Sequence, residues 1–385
     1  MRRKADLITE AEGIGLVDMD SLSTDQIMDG LRDYYCLGKD ILPQIAPMLC
    51  KDAKDYLDFS LEKPWLSPTL QRIFLGNNDW IAEEKLDGCR MKMHITPKGI
   101  RLDSRRRSDV DYTYKERTEN FPQFTDIDVK NLPDWMIGLV LDGEILMPMK
   151  SMDTGAVVTD GVLSSTIVIC NSSPEVSIPL QQKYGWAKFY VFDICDERAG
   201  FHSDRHGLVC KVRNVFDGLN YSPYKSCFCM PMRCMGSKTV FFEQIVNNGG
   251  EGIVLKNINA RYEPGKRSYG MYKLKKFFAV DVFVTGYLPG RHGNTGLVGS
   301  LCVSIMKDGK AVEIGAVSAF AGDLRRHMTA DDGSLKDEYY GRVIKCYYQE
   351  LTKTGRCRHM IISEWKPNKT MYDCTSFGFL LGVGY

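Results

Sequence analysis

The sequence predicts a two-part α+β protein, in which a β-rich core interrupted by helices is followed by a shorter all-β module. Three observations predict it. Short apolar, β-prone runs recur between Trp80 and Phe278, among them WIAEEKL, RMKMHI, MIGLVLDGEILM, WAKFYVFDI and GIVLKN. Helical stretches fall irregularly among these runs, a mixed pattern rather than a repeating βαβ one. Beyond Phe278 the runs AVDVFVTGYL, GSLCVSIMKDGKAVEIGAVS, RVIKCYYQEL and HMIISEWK follow one another, with Asp308-Gly309 and the glycines from 290 to 296 as turns. At 385 residues and 44% hydrophobic content the chain is too long for one domain and can supply a core to each of two.

In chain order, residues 1–60 form a short helical extension. A helix is expected over Ser23 to Tyr35, capped by Ser23 or Thr24, and a second helical stretch over Ile41 to Leu49. Residues 61–278 form the β-rich core, with helices over His206 to Leu219 and Lys238 to Asn247. The Ser/Thr-rich segment from Met149 to Gln182 reads as a long excursion from it. Residues 279–385 fit a small β-barrel of the kind that often grips nucleic acid.

Fifty basic residues nearly balance 49 acidic ones, so the net charge of +1 does not announce a polyanion partner. Local patches do: Arg101, Arg105, Arg106 and Arg107 in one, and Lys266, Arg267, Lys273, Lys275 and Lys276 in another. No secretory signal opens the chain and no apolar run approaches the roughly 20 residues of a bilayer crossing. With 13 scattered cysteines, this implies a reducing, intracellular compartment and no membrane association. Cys227, Cys229 and Cys234 lie close together, but the spacing is unusual for zinc and no fourth ligand is well placed.

Four clusters carry chemistry. Glu83 to Arg90 (EEKLDGCR) places Lys85 at a strand end before the Asp87-Gly88 turn. A nucleophilic lysine must lose its proton, and Arg90, Lys273 and Lys275 are cations that could favour that loss. Leu141-Asp142-Gly143-Glu144 and Glu251-Gly252 each set a carboxylate beside a glycine at a strand edge. Two such carboxylates beside a phosphate would hold magnesium. Lys273 and Lys275 share one strand face and could neutralise phosphate oxygens.

Taken together, these motifs resemble those of the ATP-dependent DNA ligases of the covalent nucleotidyltransferase superfamily, specifically the compact viral or phage type. Lys85-Leu86-Asp87-Gly88-Cys89-Arg90 matches the family's K-x-D-G-x-R. Ser104-Arg105, Leu141 to Glu144, Phe192-Asp193, Glu251 to Lys256 and Lys273-x-Lys275 resemble the elements that follow in the family's order. Trp365-Lys366-Pro367-Asn368-Lys369 is similar to the terminal R-P-D-K element, with Lys366 and Asn368 as substitutions; Met271 stands where the double-lysine motif commonly has tryptophan. The likeness runs over residues 80–370.

The resemblance implies an ATP-grasp-like adenylation domain followed by an OB-fold barrel. It implies a monomer that uses ATP and Mg²⁺ on nicked duplex DNA, in a host cytoplasm if the gene is viral. Lys85 would carry AMP. ATP would meet Glu83, Arg90, Arg105, Glu144, Phe192, Lys256, Lys273 and Lys275, with Lys366 and Lys369 orienting pyrophosphate. Glu144 and Glu251 would serve the metal. DNA phosphates would meet Arg105, Arg106, Arg107, Lys266 and Arg267, with Arg291 and His292 as further candidates. An RNA ligase and a GTP-dependent mRNA capping guanylyltransferase share the lysine chemistry and remain alternatives. A non-catalytic descendant would not be expected to keep Lys85, Glu144, Glu251, Lys273 and Lys275 together.

Overall fold

Ser23 starts the best-defined N-terminal helix because it offers a reciprocal cap. Its hydroxyl accepts from the Gln26 N–H and its own N–H donates to Gln26 Oε1. That helix, α2 (Thr24–Tyr35), pairs with α1 (Lys4–Gly13), which the sequence reading missed. Leu7, Ala11, Ile27, Met28 and Leu31 bury themselves around Tyr112, a residue of the β-rich core held at φ 58°. The hydroxyls of Tyr112 and Tyr35 both donate to Glu10, at 2.7 and 2.9 Å.

The helix expected over Ile41 to Leu49 does not form. Pro43 and Pro47 remove two backbone donors and push their predecessors into extended geometry. Instead the segment lies along the core, where Lys92 Nζ donates to the Ile45 carbonyl at 2.6 Å and Arg90 to that of Met48 at 2.7 Å.

The computed structural model describes residues 3–148, 152–153, 162–196, 199–219, 227–318, 322–352 and 355–375. The chain divides into two units, one of Met1–Ala53, Arg72–Ile245 and Gly250–Lys273, the other of Lys54–Gln71, Val246–Gly249 and Leu274–Tyr385. The strands of the first half are β1 (Leu49–Asp52), β2 (Trp80–Glu84), β3 (Cys89–Thr96), β4 (Gly99–Arg107), β5 (Tyr114–Glu116) and β6 (Val140–Leu146). They continue as β7 (Lys188–Ile194), β8 (Phe228–Cys229), β9 (Arg233–Cys234), β10 (Gly252–Asn257) and β11 (Arg267–Lys275). One sheet runs β1-β11-β10-β2-β9 and the other β5-β4-β3-β6-β7-β8. Met93, Leu102, Leu141, Ile145, Phe189 and Val191 form the centre of the larger core, closed by helices.

Those helices include two from the Ser/Thr-rich excursion, α3 (Val162–Asn171) and α4 (Pro174–Tyr184); residues 149–151 and 154–161 lie outside the described residues. The side chain of Asn120 ties α3 down by donating to the carbonyls of Ile169 and Ser172 at 2.8 and 2.9 Å. Two further helices, α5 (His202–Gly218) and α6 (Lys238–Asn247), complete the unit.

The second unit is built on β12 (Phe278–Pro289), β13 (Val298–Lys307), β14 (Lys310–Val317), β15 (Val343–Tyr348), β16 (Glu350–Leu351), β17 (Cys357–Arg358) and β18 (Ile361–Trp365), with helix α7 (Gly322–Met328). The OB-fold barrel expected here is not what forms. Among the described residues the five-stranded sheet runs β14-β13-β12-β15-β18 and stays open, with β14 and β18 as edges. A barrel needs every strand to have two neighbours. Between β15 and β18, β16 pairs with β17 as a separate two-stranded ribbon. Alternating apolar residues reveal which face of each strand is buried, not whether the first and last strands meet.

Residues 54–71 belong to this unit despite their early place in the chain. The Phe59 ring packs 5.4 Å from Phe277 and 4.8 Å from Tyr347. The Phe59 carbonyl accepts from the hydroxyls of Tyr347 and Ser363, at 3.2 and 3.1 Å.

Candidate active site

β2 is fixed between β10 and β9, so the residues at its C-terminal end are held on both sides. Lys85 continues that strand by donating its backbone N–H to the Gly252 carbonyl at 2.9 Å. Its Nζ reaches Glu251 Oε2 at 2.5 Å, in a pair that is about one-fifth exposed on each side, at 23% and 19%. Its direct partner is thus a carboxylate. Gly88 is required by close approach, not by an unusual φ: a Cβ there would lie 2.3 Å from the Ile145 carbonyl oxygen. Gly143 is likewise pressed against the Phe189 ring, which a Cβ would meet at 2.4 Å. Gly88 therefore lets the Lys85 turn sit tightly on β6, and Gly143 lets β7 close against that strand.

Arg90, the second residue of β3, stands opposite Glu144 of β6. Its guanidinium grips Asp142 through two hydrogen bonds at 2.8 and 2.5 Å and lies 5.4 Å from the Phe192 ring centroid. The Glu144 side chain makes no hydrogen bond or ion pair among the described residues. Burial pushes its carboxyl up to about 7, against the opposing pull of Lys85 and Arg90. Lys273 pairs with Asp52 at 3.4 Å, and Lys275 ends the same strand.

A second cluster is fully enclosed. Glu83, 3% exposed, pairs with Lys256 at 2.6 Å, and Lys256 also donates to the Phe192 carbonyl at 2.8 Å. His202, in the first turn of α5, stands 3.9 Å from Glu83 and 3.8 Å from Asp193. Arg205, one turn on, is bound to Asp193 at 2.6 Å and caps the Gly200 and Ala260 carbonyls. Burial would raise the Asp193 carboxyl, but His202, Lys256 and Arg205 together hold it far below the usual range.

The remaining candidates are dispersed. Arg105 and Arg106 are exposed at the end of β4, whereas Arg107 is turned inward to Asp29 at 2.8 Å. Lys266 is exposed and Arg267 donates to the Cys50 carbonyl at 3.1 Å. In the second unit Lys366 pairs with Glu364 at 2.6 Å, Lys369 pairs with Asp281, and Arg291 is exposed; the His292 side chain lies outside the described residues. Sequence reasoning gave no role to Asp142, Asp193 or Arg205. The first two lie inside quoted motifs and could have been flagged as acids wanting cations; Arg205 had no local signal.

No group of three His, Cys, Asp or Glu side chains forms a metal centre among the described residues. Glu144 and Glu251, the two carboxylates acting on Lys85, nonetheless suit magnesium, which takes one or two carboxylates and fills its shell with water and phosphate. A half-buried, under-compensated carboxylate such as Glu144 is the donor a divalent cation would stabilise.

The sequence profile of the family described as ATP dependent DNA ligase domain matches residues 47–203 and 227–275, together more than half of the chain. The chain belongs to this family. The ligase domain so defined takes in Lys85, Glu144, Phe192, Glu251 and Lys273. Among its relatives, DNA ligase 1 of Methanosarcina mazei is 26% identical over 60% of this chain and 40% of its own length. DNA ligase 1 of Saccharomyces cerevisiae is 27% identical over 69% of this chain and 33% of its own. The SPbeta prophage-derived DNA ligase-like protein LigB of Bacillus subtilis is 25% identical over 58% and 71%. The chain therefore spans well under half the length of the first two. A solved structure from the Lig E DNA ligases shares the fold with TM-score 0.52 at 19% identity, covering 85% of this chain and all of that one. The structure named Pmar-Lig_PreS3 does so with TM-score 0.57 at 16% identity, covering 90% and 72%. No helix among the described residues is long and apolar enough to cross a membrane.

Proposed function

We propose that this chain is an ATP-dependent DNA ligase that seals a 5′-phosphate to a 3′-hydroxyl at nicks in duplex DNA. The observation that carries the reading is Lys85, fixed at the end of β2 inside a family-matched domain with its amine 2.5 Å from Glu251 and Glu144 nearby. The first unit, which carries Lys85, Glu144 and Glu251, would be the adenylation domain and the second an accessory module, so the expected boundaries of 61–278 and 279–385 give way to those of the two units.

Lys85 Nζ would attack the α-phosphate of ATP and release pyrophosphate, forming a lysyl-AMP phosphoramidate. The AMP would pass to the nick 5′-phosphate, and the 3′-hydroxyl would then displace it. Magnesium, held by Glu144 and Glu251, would supply charge neutralisation at the phosphates. Glu83 would read the adenine amino group and Phe192 would stack on the base. Lys273 and Lys275 would offset phosphate charge, and Arg90, oriented by Asp142, would meet the ribose. Such chemistry depends on positioning and electrostatics more than on a dedicated base. Exposed Arg105, Arg106 and Lys266 would contact the DNA backbone without reading sequence. The prophage-derived relative supports a compact phage or viral type.

The test is sealing of a singly nicked DNA duplex with ATP and magnesium, run beside an all-RNA nick and beside Lys85→Ala. Sealing of DNA that is lost in the variant supports the reading. Joining of the RNA nick alone would move the chain to the RNA ligases, and a covalent GMP adduct without sealing would make it a guanylyltransferase.

A further inference from the structure

Glu83 has a cross-strand neighbour that none of these roles uses. In the register of β2 and β9 it stands opposite Arg233. Opposed residues of an antiparallel pair share one face of the sheet, with Cβ atoms roughly 4.5–5.5 Å apart. Yet the two side chains do not close on each other. Glu83 is engaged by Lys256 at 2.6 Å and faced by His202 at 3.9 Å. The Arg233 side chain makes no hydrogen bond or ion pair among the described residues, and its Nε is buried without a partner.

An unmade buried guanidinium donor is costly and calls for a ligand or a compensating charge. The backbone fixes its place, because the Glu84 N–H donates to the Met232 carbonyl at 2.8 Å, just before Arg233. His206, a further basic group beside Arg233, His202 and Lys256, is pushed down to about 4 by burial and by Arg233 itself, and so is neutral near pH 7. Arg233 is then a permanent cation beside a carboxylate, offering a donor next to an acceptor.

We propose that Arg233 reads the purine ring of the nucleotide, donating to a ring nitrogen while Glu83 accepts from the 6-amino group. The inference rests on the reading of Glu83 as the base-recognising residue. Adenine shows an amino donor beside a ring-nitrogen acceptor on both of its edges, N1 on one and N7 on the other. Guanine shows the O6 acceptor in place of the amino group, which would face the Glu83 carboxylate. The Glu83–Arg233 pair therefore matches adenine and opposes guanine, making Arg233 a specificity-determining residue for ATP.

The experiment measures adenylate-adduct formation on the full chain by intact-protein mass, with magnesium and ATP, 1-deaza-ATP or 7-deaza-ATP. The wild type should use one deaza analogue about ten- to a hundredfold less efficiently than ATP, the cost of a charge-assisted hydrogen bond. Arg233→Met should use ATP at that reduced level and become indifferent to the same replacement. Wild-type protein that accepts both analogues as well as ATP would overturn the proposal, whether or not the variant folds. So would an Arg233→Met protein that keeps the wild-type preference. Purine riboside triphosphate, which lacks the amino group, tests Glu83 separately: its full acceptance would overturn the Glu83 reading and the paired recognition built on it. Absence of any adduct with ATP would overturn the proposed activity along with this inference.

Discussion

The two sides of the candidate site are built on opposite principles. Around Glu83 and Asp193 every acid is enclosed and matched to a cation: Glu83 to Lys256, Asp193 to Arg205. Around Lys85 the pairing is looser. Lys85 and Glu251 are partly exposed, Lys273 reaches Asp52 only at 3.4 Å, and the Glu144 side chain has no cation in contact among the described residues. In the first region fixed ion pairs hold the Glu83 carboxylate in one place, as reading a base requires. In the second, charges are kept available because the phosphates must exchange partners with them. Breaking a buried pair should therefore cost stability, and breaking the exposed pair should cost chemistry.

The largest effect expected is on the loose side. Lys85→Ala should remove adduct formation by about 10⁴-fold or more, as loss of a nucleophile does. Its unfolding free energy should change by no more than about 1 kcal/mol, because the Lys85–Glu251 pair is partly solvated. Intact mass and urea titration would show both, and a large stability loss would erase the contrast. On the enclosed side, Arg205→Leu strands a buried Asp193 and should cost about 3–5 kcal/mol in the same titration. A cost under about 1 kcal/mol would mean the enclosed network does not hold the fold.

The contrast can also be sharpened with pH. Glu144 is raised from an ordinary 4.5 to about 7, so the folded protein binds its proton more tightly than the unfolded chain. The Glu144 contribution to wild-type stability should therefore fall as pH rises from 4.5 to about 7. In metal-free buffer Glu144→Gln should be more stable than wild type by about 2–3 kcal/mol above that window and no different below it. His206 works in the other direction. Held at about 4 instead of 6.5, it is protonated more readily when unfolded, so stability falls as pH drops between those values. After allowance for its half-exposed ring, His206→Asn should lessen this acid loss by about 1 kcal/mol. Thermal melts across pH 4–8 would detect both signs.

The motif strands were legible because their chemistry is local. Trp80 to Glu84, Val140 to Leu146 and Lys188 to Ile194 announce themselves by short apolar runs ending in charged or glycine residues, and Ser23 with Gln26 announces a helix start. What was not legible depends on distant partners. Ile41 to Leu49 has helical apolar spacing, but Pro43 and Pro47 and the grip of Lys92 and Arg90 draw it straight. The open edge at β14 is a statement about a missing partner, and alternation within one strand holds no such information. At the site, Lys85 and Glu251 could be nominated from motifs. That Asp142, 52 residues from Arg90 along the chain, would orient it required the pairing of β3 with β6.

Residues 54–71 emerge from the ribosome long before Phe277, Tyr347 and Ser363, the groups that receive Phe59. At roughly 5–20 residues per second, that segment waits on the order of 15–60 s for its last partners while the intervening first unit is synthesised. During translation Phe59 is thus a sticky, unsheltered side chain. A gene truncated near residue 278 would leave it so permanently, which makes interleaving of the two units a constraint on how this protein can be shortened or fused.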